Sequence, residues 1–323
     1  MKAITQDTYG SVDVLELRDV DAPVPGDDDV LIQVRAAGVD QGVWHLMTGL
    51  PYLTRVIGFG LTRPKTRIRG RAVAGRVEAI GRNVVGFRPG DEVYGTCEGS
   101  FAEYACAKEG KLALKPKSLS FEQAAAVPIS AVTALQALRD AGKVQAGQEV
   151  LVIGAAGGVG TYAVQLAKAF GAQVTGVCST AKTDLVRSIG ADHVIDYKHD
   201  DFADGSRHYD LIVDIAGNRP LSVLRRALTP KGTLAIVGGE GGGRLTGGFE
   251  RSLGAGLLSA FVGQQLKGVM SVERAEDLRY LTGLIEAGAV TPVIGKSYAL
   301  ADAPAAIQDL REGKVRGKAV VTV

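Results

Sequence analysis

The stretch "LVIGAAGGVG", residues 151–160, decides the fold. A short apolar, β-branched run ends in a glycine turn. Behind it Val159, Ala163, Leu166, Ala167 and Phe170 recur on one face of a helix. Gly157 and Gly160 take the last two glycine places of a dinucleotide fingerprint, and Ala155 takes the first, giving A-x-G-x-x-G. Glycine is needed where backbone must approach a pyrophosphate and where helix must pack closely on strand. Ala156, Gly157, Gly158, Val159 and Gly160 are therefore expected to turn backbone N–H groups and a positive helix end toward phosphate. A ligand-free βα turn is the competing reading of a lone glycine triplet; the strand before it and the helix after it favour a dinucleotide.

The surrounding rhythm agrees. "QVTGVC", "HVIDY", "YDLIVDIAG" and "TLAIVGG" read as strands, with "TDLVRSIG" and "PLSVLRRAL" as helices between them. Strands alternating with helices make parallel βαβ units and a doubly wound sheet. "ERAEDLRYLTGLIEAG" (273–288) is one more amphipathic helix, and the tail reads as helix, turn and a terminal strand that returns to the N-terminal part. The first 120 residues are different. "VLIQVRAAGV" and "RAVAGRVEAIG" are apolar runs broken by "PGDDD", "RPGDEV" and "CEGS", which reads as a mostly antiparallel β domain. The fold class is α/β, a β domain plus a doubly wound parallel sheet.

The second strand of the dinucleotide unit ends in "VCSTAK" (177–182), where the adenosine ribose is read. An acid there would bind the 2′-hydroxyl of NAD and repel a 2′-phosphate. Ser179, Thr180 and Lys182 offer two hydroxyls and an ammonium instead, and Lys suits phosphate as a point charge. The expected cofactor is NADPH. Ser179 or Thr180 capping the next helix is a compatible second role.

Composition narrows the alternatives. The chain has 323 residues, 46% hydrophobic and 22% charged, with a net charge of +2. That is a globular balance with no electrostatic footprint for nucleic acid. "RPKTRIRGR" (63–71) is the densest basic stretch and reads as a solvated loop. Cys97, Cys106 and Cys178 lack the spacing of a zinc ribbon or disulfide framework. No signal-like or membrane-spanning run is present, so a cytoplasmic location is expected.

"VRAAGV" (34–39), "AGRVEAIGRNVVGFRPGDEVYG" (74–95), "AAAVPISAVTAL" (124–135), "GAAGGVG", "GADHVIDY" (190–197) and "GKVRGKAVVTV" (313–323) together resemble the medium-chain dehydrogenase/reductase superfamily. They look most like its zinc-independent quinone oxidoreductase branch, the ζ-crystallin-like proteins. The resemblance implies a GroES-like catalytic domain from residues 1–121 and 290–323, around a Rossmann domain at 122–289. It also implies a cleft for nicotinamide and substrate. By the same resemblance, Ser179, Lys182 and Tyr197 surround the 2′-phosphate. Gly217 and Asn218 of "DIAGN", with Val237 and Gly238 of "IVGG", line the cofactor. Thr133 lies beside the nicotinamide and Lys318 near the cleft.

Zinc relatives carry a Cys after the "AAGV"-like segment and a Gly-His-Glu before the next glycine run. Asp40 and Gly70-Arg71 stand there instead, and His45, His193, His199 and His208 do not cluster with Cys97 or Cys106 in sequence. No metal is expected. Hydride delivery to an acceptor that is already electrophilic, a quinone or an α,β-unsaturated carbonyl, then needs only hydrogen-bond donors at the oxygen. Tyr52 reads either as such a donor or as an aromatic packing its loop. Asp40 reads either as a catalytic-site acid or as the cap of a helix at 41–47. Trp44 reads as core or cleft wall. The glycine-rich 238–248 reads as a lid or a surface connection. The strand-like 259–272 reads as an edge that pairs across a homodimer, or an internal edge strand. An enoyl-thioester reductase, and an NADPH-binding protein with a mainly sensory role, remain the alternative functions.

Overall fold

A computed structural model describes residues 1–239 and 242–323. The chain forms two compact units. The first is Met1–Val132 with Glu273–Gly288 and Pro292–Val323; the second is Thr133–Val272 with Ala289–Thr291.

In the first unit the strand Asp29–Val39 is central. Its sequence alternates so that Val30, Ile32 and Val34 all point into the core, at 2% exposure or less. Ala72–Ile80 pairs antiparallel along most of its length. On its other edge Tyr104–Lys108 pairs with its first half and the C-terminal Lys318–Thr322 with its second. The tail therefore does return to the β domain. Glu92–Thr96, Leu112–Leu114 and Ile294–Ala299 complete a seven-stranded sheet.

Two packings define the extent of the first unit. The helix Phe121–Ala125, closed by a Ser120–Gln123 capping box, packs on the sheet so tightly that a Cβ at Gly38 would lie 2.4 Å from the Ala125 carbonyl oxygen. The helix Ala275–Glu286 also belongs to the first unit. The buried Tyr94 hydroxyl donates to the Leu278 carbonyl at 2.7 Å and meets Thr282 Oγ1 at 2.9 Å. Amphipathic spacing announces a buried face on that helix but not what covers it.

The second unit is a six-stranded, wholly parallel sheet. Its spatial order is His193–Asp196, Gln173–Cys178, Glu149–Ile153, Tyr209–Asp214, Leu228–Ile236 and Gln265–Gly268. Numbered along the chain, that is third, second, first, fourth, fifth, sixth, the doubly wound order whose direction reverses beside the first strand. The 259–272 segment supplies the edge strand Gln265–Gly268, paired on one side only.

Burial raises both the Tyr94 phenol and the nearby Cys97 thiol to about 12. In an unfolded chain such groups ionise near ~10 and ~8.5. The unfolded state then sheds protons first, so stability is expected to fall as pH rises from about 9 to 12. Tyr94→Phe is expected to cost about 1 kcal/mol at neutral pH, the net worth of one hydrogen bond, and to flatten the upper part of that fall. Urea midpoints measured across pH check both.

Candidate active site

The phosphate turn is built by close contacts. Gly154, at φ +90°, and Ala155 both donate to the Val177 carbonyl of the next strand, at 3.1 and 3.0 Å. Gly157 is the N-cap of the helix Gly158–Ala169 and offers its first-turn amides no side-chain acceptor. The N–H groups of Gly158, Val159 and Gly160 are therefore left for a ligand. A Cβ at Gly160 would stand 2.1 Å from the Gly154 carbonyl oxygen, so only glycine lets the helix come this near. Ala155 fits the first fingerprint place because its methyl is buried against Gly176, where an added Cβ would lie 3.0 Å away. Turn, amides and dipole fit a pyrophosphate.

At the end of the second strand Ser179 begins the turn Thr180–Lys182 without a side-chain cap. Ser179 and Lys182 are half-buried, and Tyr197 is half-exposed with its N–H on the Cys178 carbonyl at 3.2 Å. Thr180 is exposed, and its hydroxyl lies within reach of Asp196. That hydroxyl, and the Lys198 N–H at 3.1 Å, hold the Asp196 carboxyl below its ordinary range. Sequence reasoning missed Asp196. The signal was its position at the end of the third strand, in register with Cys178.

A second missed residue is Asp214, wholly buried at the end of the fourth strand. Its carbonyl accepts from the Val237 and Gly238 N–H groups at 2.9 and 3.1 Å, and its Oδ1 from the Gly217 N–H at 3.1 Å. One residue thus pins both loops expected to line the cofactor. Arg251 pairs with Oδ2 at 2.5 Å and donates to the Arg219 carbonyl at 2.9 Å. Glycine is obligatory at 238, where a Cβ would lie 1.8 Å from the Ile215 carbonyl oxygen. Asn218 is exposed, and Thr133 is half-buried in the helix Ser130–Gln136. The lid read at 238–248 includes Glu240 and Gly241, which lie outside the described residues.

In the first unit Asp40 and Lys318 come together. Lys318 is 2% exposed, and its ammonium donates to the Val39 carbonyl at 2.7 Å. Burial lowers it from the ordinary lysine range, and Asp40 opposes that shift. Asp40 is the N-cap residue of the helix Gln41–Thr48, yet its side chain makes no capping bond, and among the described residues Oδ2 is buried without a partner. Tyr52 stands apart, 43% exposed, with the Arg55 guanidinium 4.9 Å from its ring centre. Trp44 packs on the core of this unit.

Comparison with known proteins gives the family. A family profile described as alcohol dehydrogenase GroES-like domain matches residues 26–117, and one described as zinc-binding dehydrogenase matches 189–321. A chloroplastic quinone-oxidoreductase of Triphysaria versicolor is 32% identical over 99% of this chain and 98% of its own. The chain belongs to the medium-chain dehydrogenase/reductase superfamily. Within this superfamily it is an oxidoreductase of the quinone oxidoreductase branch. A 2-methylene-furan-3-one reductase of Solanum lycopersicum is 38% identical over 75% of this chain and 66% of that protein. A mycobacterial protein whose structure was solved with NADPH superposes with a TM-score of 0.85 at 27% identity, covering 100% of both chains.

Dehydrogenases of this superfamily bind a nicotinamide dinucleotide, and the turn at 154–160 fits one. Among the described residues no three His, Cys, Asp or Glu side chains converge. Arg71, at a zinc-ligand position of the metal-bearing relatives, is instead bound to Glu273 at 3.1 Å.

Arg251→Met strands the Asp214 carboxylate in the interior, at a cost of about 3–5 kcal/mol. It is also expected to raise the dinucleotide KM more than it lowers kcat, because the 217 and 238 loops lose a common anchor. Asp214→Asn added to Arg251→Met should recover part of the stability. Thermal unfolding and steady-state kinetics check the pair.

Proposed function

We propose that this chain is a zinc-independent, NADPH-dependent reductase of quinones and α,β-unsaturated carbonyls, working as a cytoplasmic homodimer. The observation that carries the reading is the bare glycine N-cap with unclaimed amides, placed where the strand order of the parallel sheet reverses. The names of the relatives, quinone oxidoreductase and furanone reductase, support the acceptor class. The NADPH complex of the mycobacterial neighbour supports the cofactor.

When bound, the dinucleotide supplies a hydride. The Gly158, Val159 and Gly160 amides hold its pyrophosphate. Ser179 and Lys182 meet the 2′-phosphate, and Tyr197 flanks it. Thr180, in the same turn, offers a second hydroxyl to that phosphate. Asp214 keeps the backbone at Gly217, Asn218, Val237 and Gly238 in place, and Thr133 holds the nicotinamide side. Lys318 fixes the Val39 carbonyl at the start of the Asp40 helix.

Reduction of an enone puts hydride on one alkene carbon and a proton on the other; the displaced electron pair rests on the carbonyl oxygen in between. The Tyr52 hydroxyl donates to that oxygen, the proton comes from solvent, and the field of Asp40 favours the charged form of Lys318.

The dimer uses the one-sided edge strand Gln265–Gly268, flanked by Leu257, Phe261 and Met270 at 73%, 86% and 76% exposure. The three cysteines are unbridged, as suits a reducing compartment.

The test compares NADPH with NADH on a panel of quinones and enones, following loss of the reduced nicotinamide. Turnover with NADPH well above NADH is expected. Lys182→Ala is expected to lower kcat/KM for NADPH by roughly 10- to 100-fold, the worth of a charged hydrogen bond, and to leave NADH nearly unchanged. Equal loss with both cofactors, or no turnover of any acceptor, overturns the reading.

A further inference from the structure

The basic stretch 63–71 is not wholly a solvated loop. Arg63, Lys65 and Arg67 are exposed, but Arg69 is 4% exposed. Its backbone is clamped, with its N–H on the Ile4 carbonyl at 3.0 Å and its carbonyl accepting from Phe101 at 2.8 Å. The side chain therefore has a fixed origin. It lines a cavity of ≈ 510 Å³ within the first unit, of a size that suits a small-molecule ligand.

The charges around that cavity do not balance. Asp29 is taken by Lys108 at 2.8 Å. Glu273 is shared by Arg71 at 3.1 Å and Lys111 at 3.8 Å. Glu98, the other acid of the lining, accepts from the Thr66 hydroxyl at 2.8 Å, and its field reaches Arg69 without an ion pair between them. Among the described residues Arg69 makes no side-chain hydrogen bond or ion pair, and its Nε is buried without a partner. A buried guanidinium with no hydrogen-bonded partner is costly to the fold. Burial lowers it only to about 10, so it stays charged at neutral pH. Val43, Leu46, Phe59 and Ile68 line the same cavity and give an apolar body somewhere to lie.

We propose that Arg69 is a specificity residue that binds a carboxylate carried by the substrate, so that the preferred acceptor is an acidic enone rather than a neutral one. The assignment rests on the reductase reading above for its substrate class. The anion site itself rests on Arg69 and the charge excess alone. Arg presents a planar fork that matches a carboxylate bidentately.

The experiment uses β-acetylacrylate and its methyl ester, which share one electrophilic alkene and differ in charge. Reduction gives levulinate or its ester, with a hydride added at one alkene carbon and a proton at the other. The acid is expected to be the better substrate. Arg69→Met is expected to lower kcat/KM for the acid by roughly 10- to 100-fold, to leave the ester nearly unchanged, and to melt no lower than the parent. Arg69→Lys should keep part of the preference for the acid.

Calorimetric binding of levulinate against methyl levulinate to the unaltered protein needs neither a variant nor turnover, and levulinate should bind at least ten-fold tighter. Reduction of the ester with no preference for the acid, and equal binding of the two products, overturns the proposal and leaves the reductase reading standing. Levulinate binding that depends on Arg69, with neither compound reduced, keeps the anion site and overturns the reductase reading.

Discussion

The nearness of the helix Gly158–Ala169 to the strand before it governs the second unit. A single methyl at 160 would sit 2.1 Å from the Gly154 carbonyl oxygen, so the packing exists only with glycine there. That contact brings the helix N-terminus up against the end of the first strand, where the sheet order reverses. Gly157 then matters for what it lacks. Serine or aspartate at the N-cap would occupy the first-turn amides; glycine leaves them to a phosphate. The same crowding explains Ala155, whose methyl is admitted because the neighbouring strand offers Gly176.

Much of this was legible because periodicity and turn chemistry are local. The strand at 149–153, the helix behind it and the parallel series to 236 follow from β-branched runs and 3.6-residue spacing. The terminal strand and the edge strand at 265–268 were readable too, as short apolar runs after turns. Domain membership was less so. The helix Ala275–Glu286 looks alike in sequence whichever sheet it covers, and Tyr94, almost two hundred positions away, decides it.

The missed residues are charges whose meaning depends on burial. Asp196 and Asp214 are each one acid at the end of a strand, and nothing local marks one as a hydroxyl acceptor and the other as the anchor of two loops. Thr180 has a partner of the same kind: a carboxylate on the adjacent strand lies within reach of its hydroxyl. Short-range pattern gives the address of such groups; their partners come from strand register, which spans many residues.

Three buried cations show how partners separate structure from ligand chemistry. Lys318 is sealed, but a backbone carbonyl at 2.7 Å and the field of Asp40 account for it. Arg251 is mostly sealed; its Nη2 meets Asp214 and the Arg219 carbonyl, while its Nε and Nη1 have no partner among the described residues. Both would be missed by the fold if removed, because each holds backbone that other residues use. Arg69 is as deeply buried, makes no side-chain hydrogen bond or ion pair among the described residues, and is reached only by the fields of Tyr9 and Glu98. Burying a charge without a partner costs free energy that the folded chain alone does not recover. A ligand that arrives charged recovers it, and it does so only in the bound state, so the cost that burdens the empty protein becomes selectivity between an acid and its neutral twin.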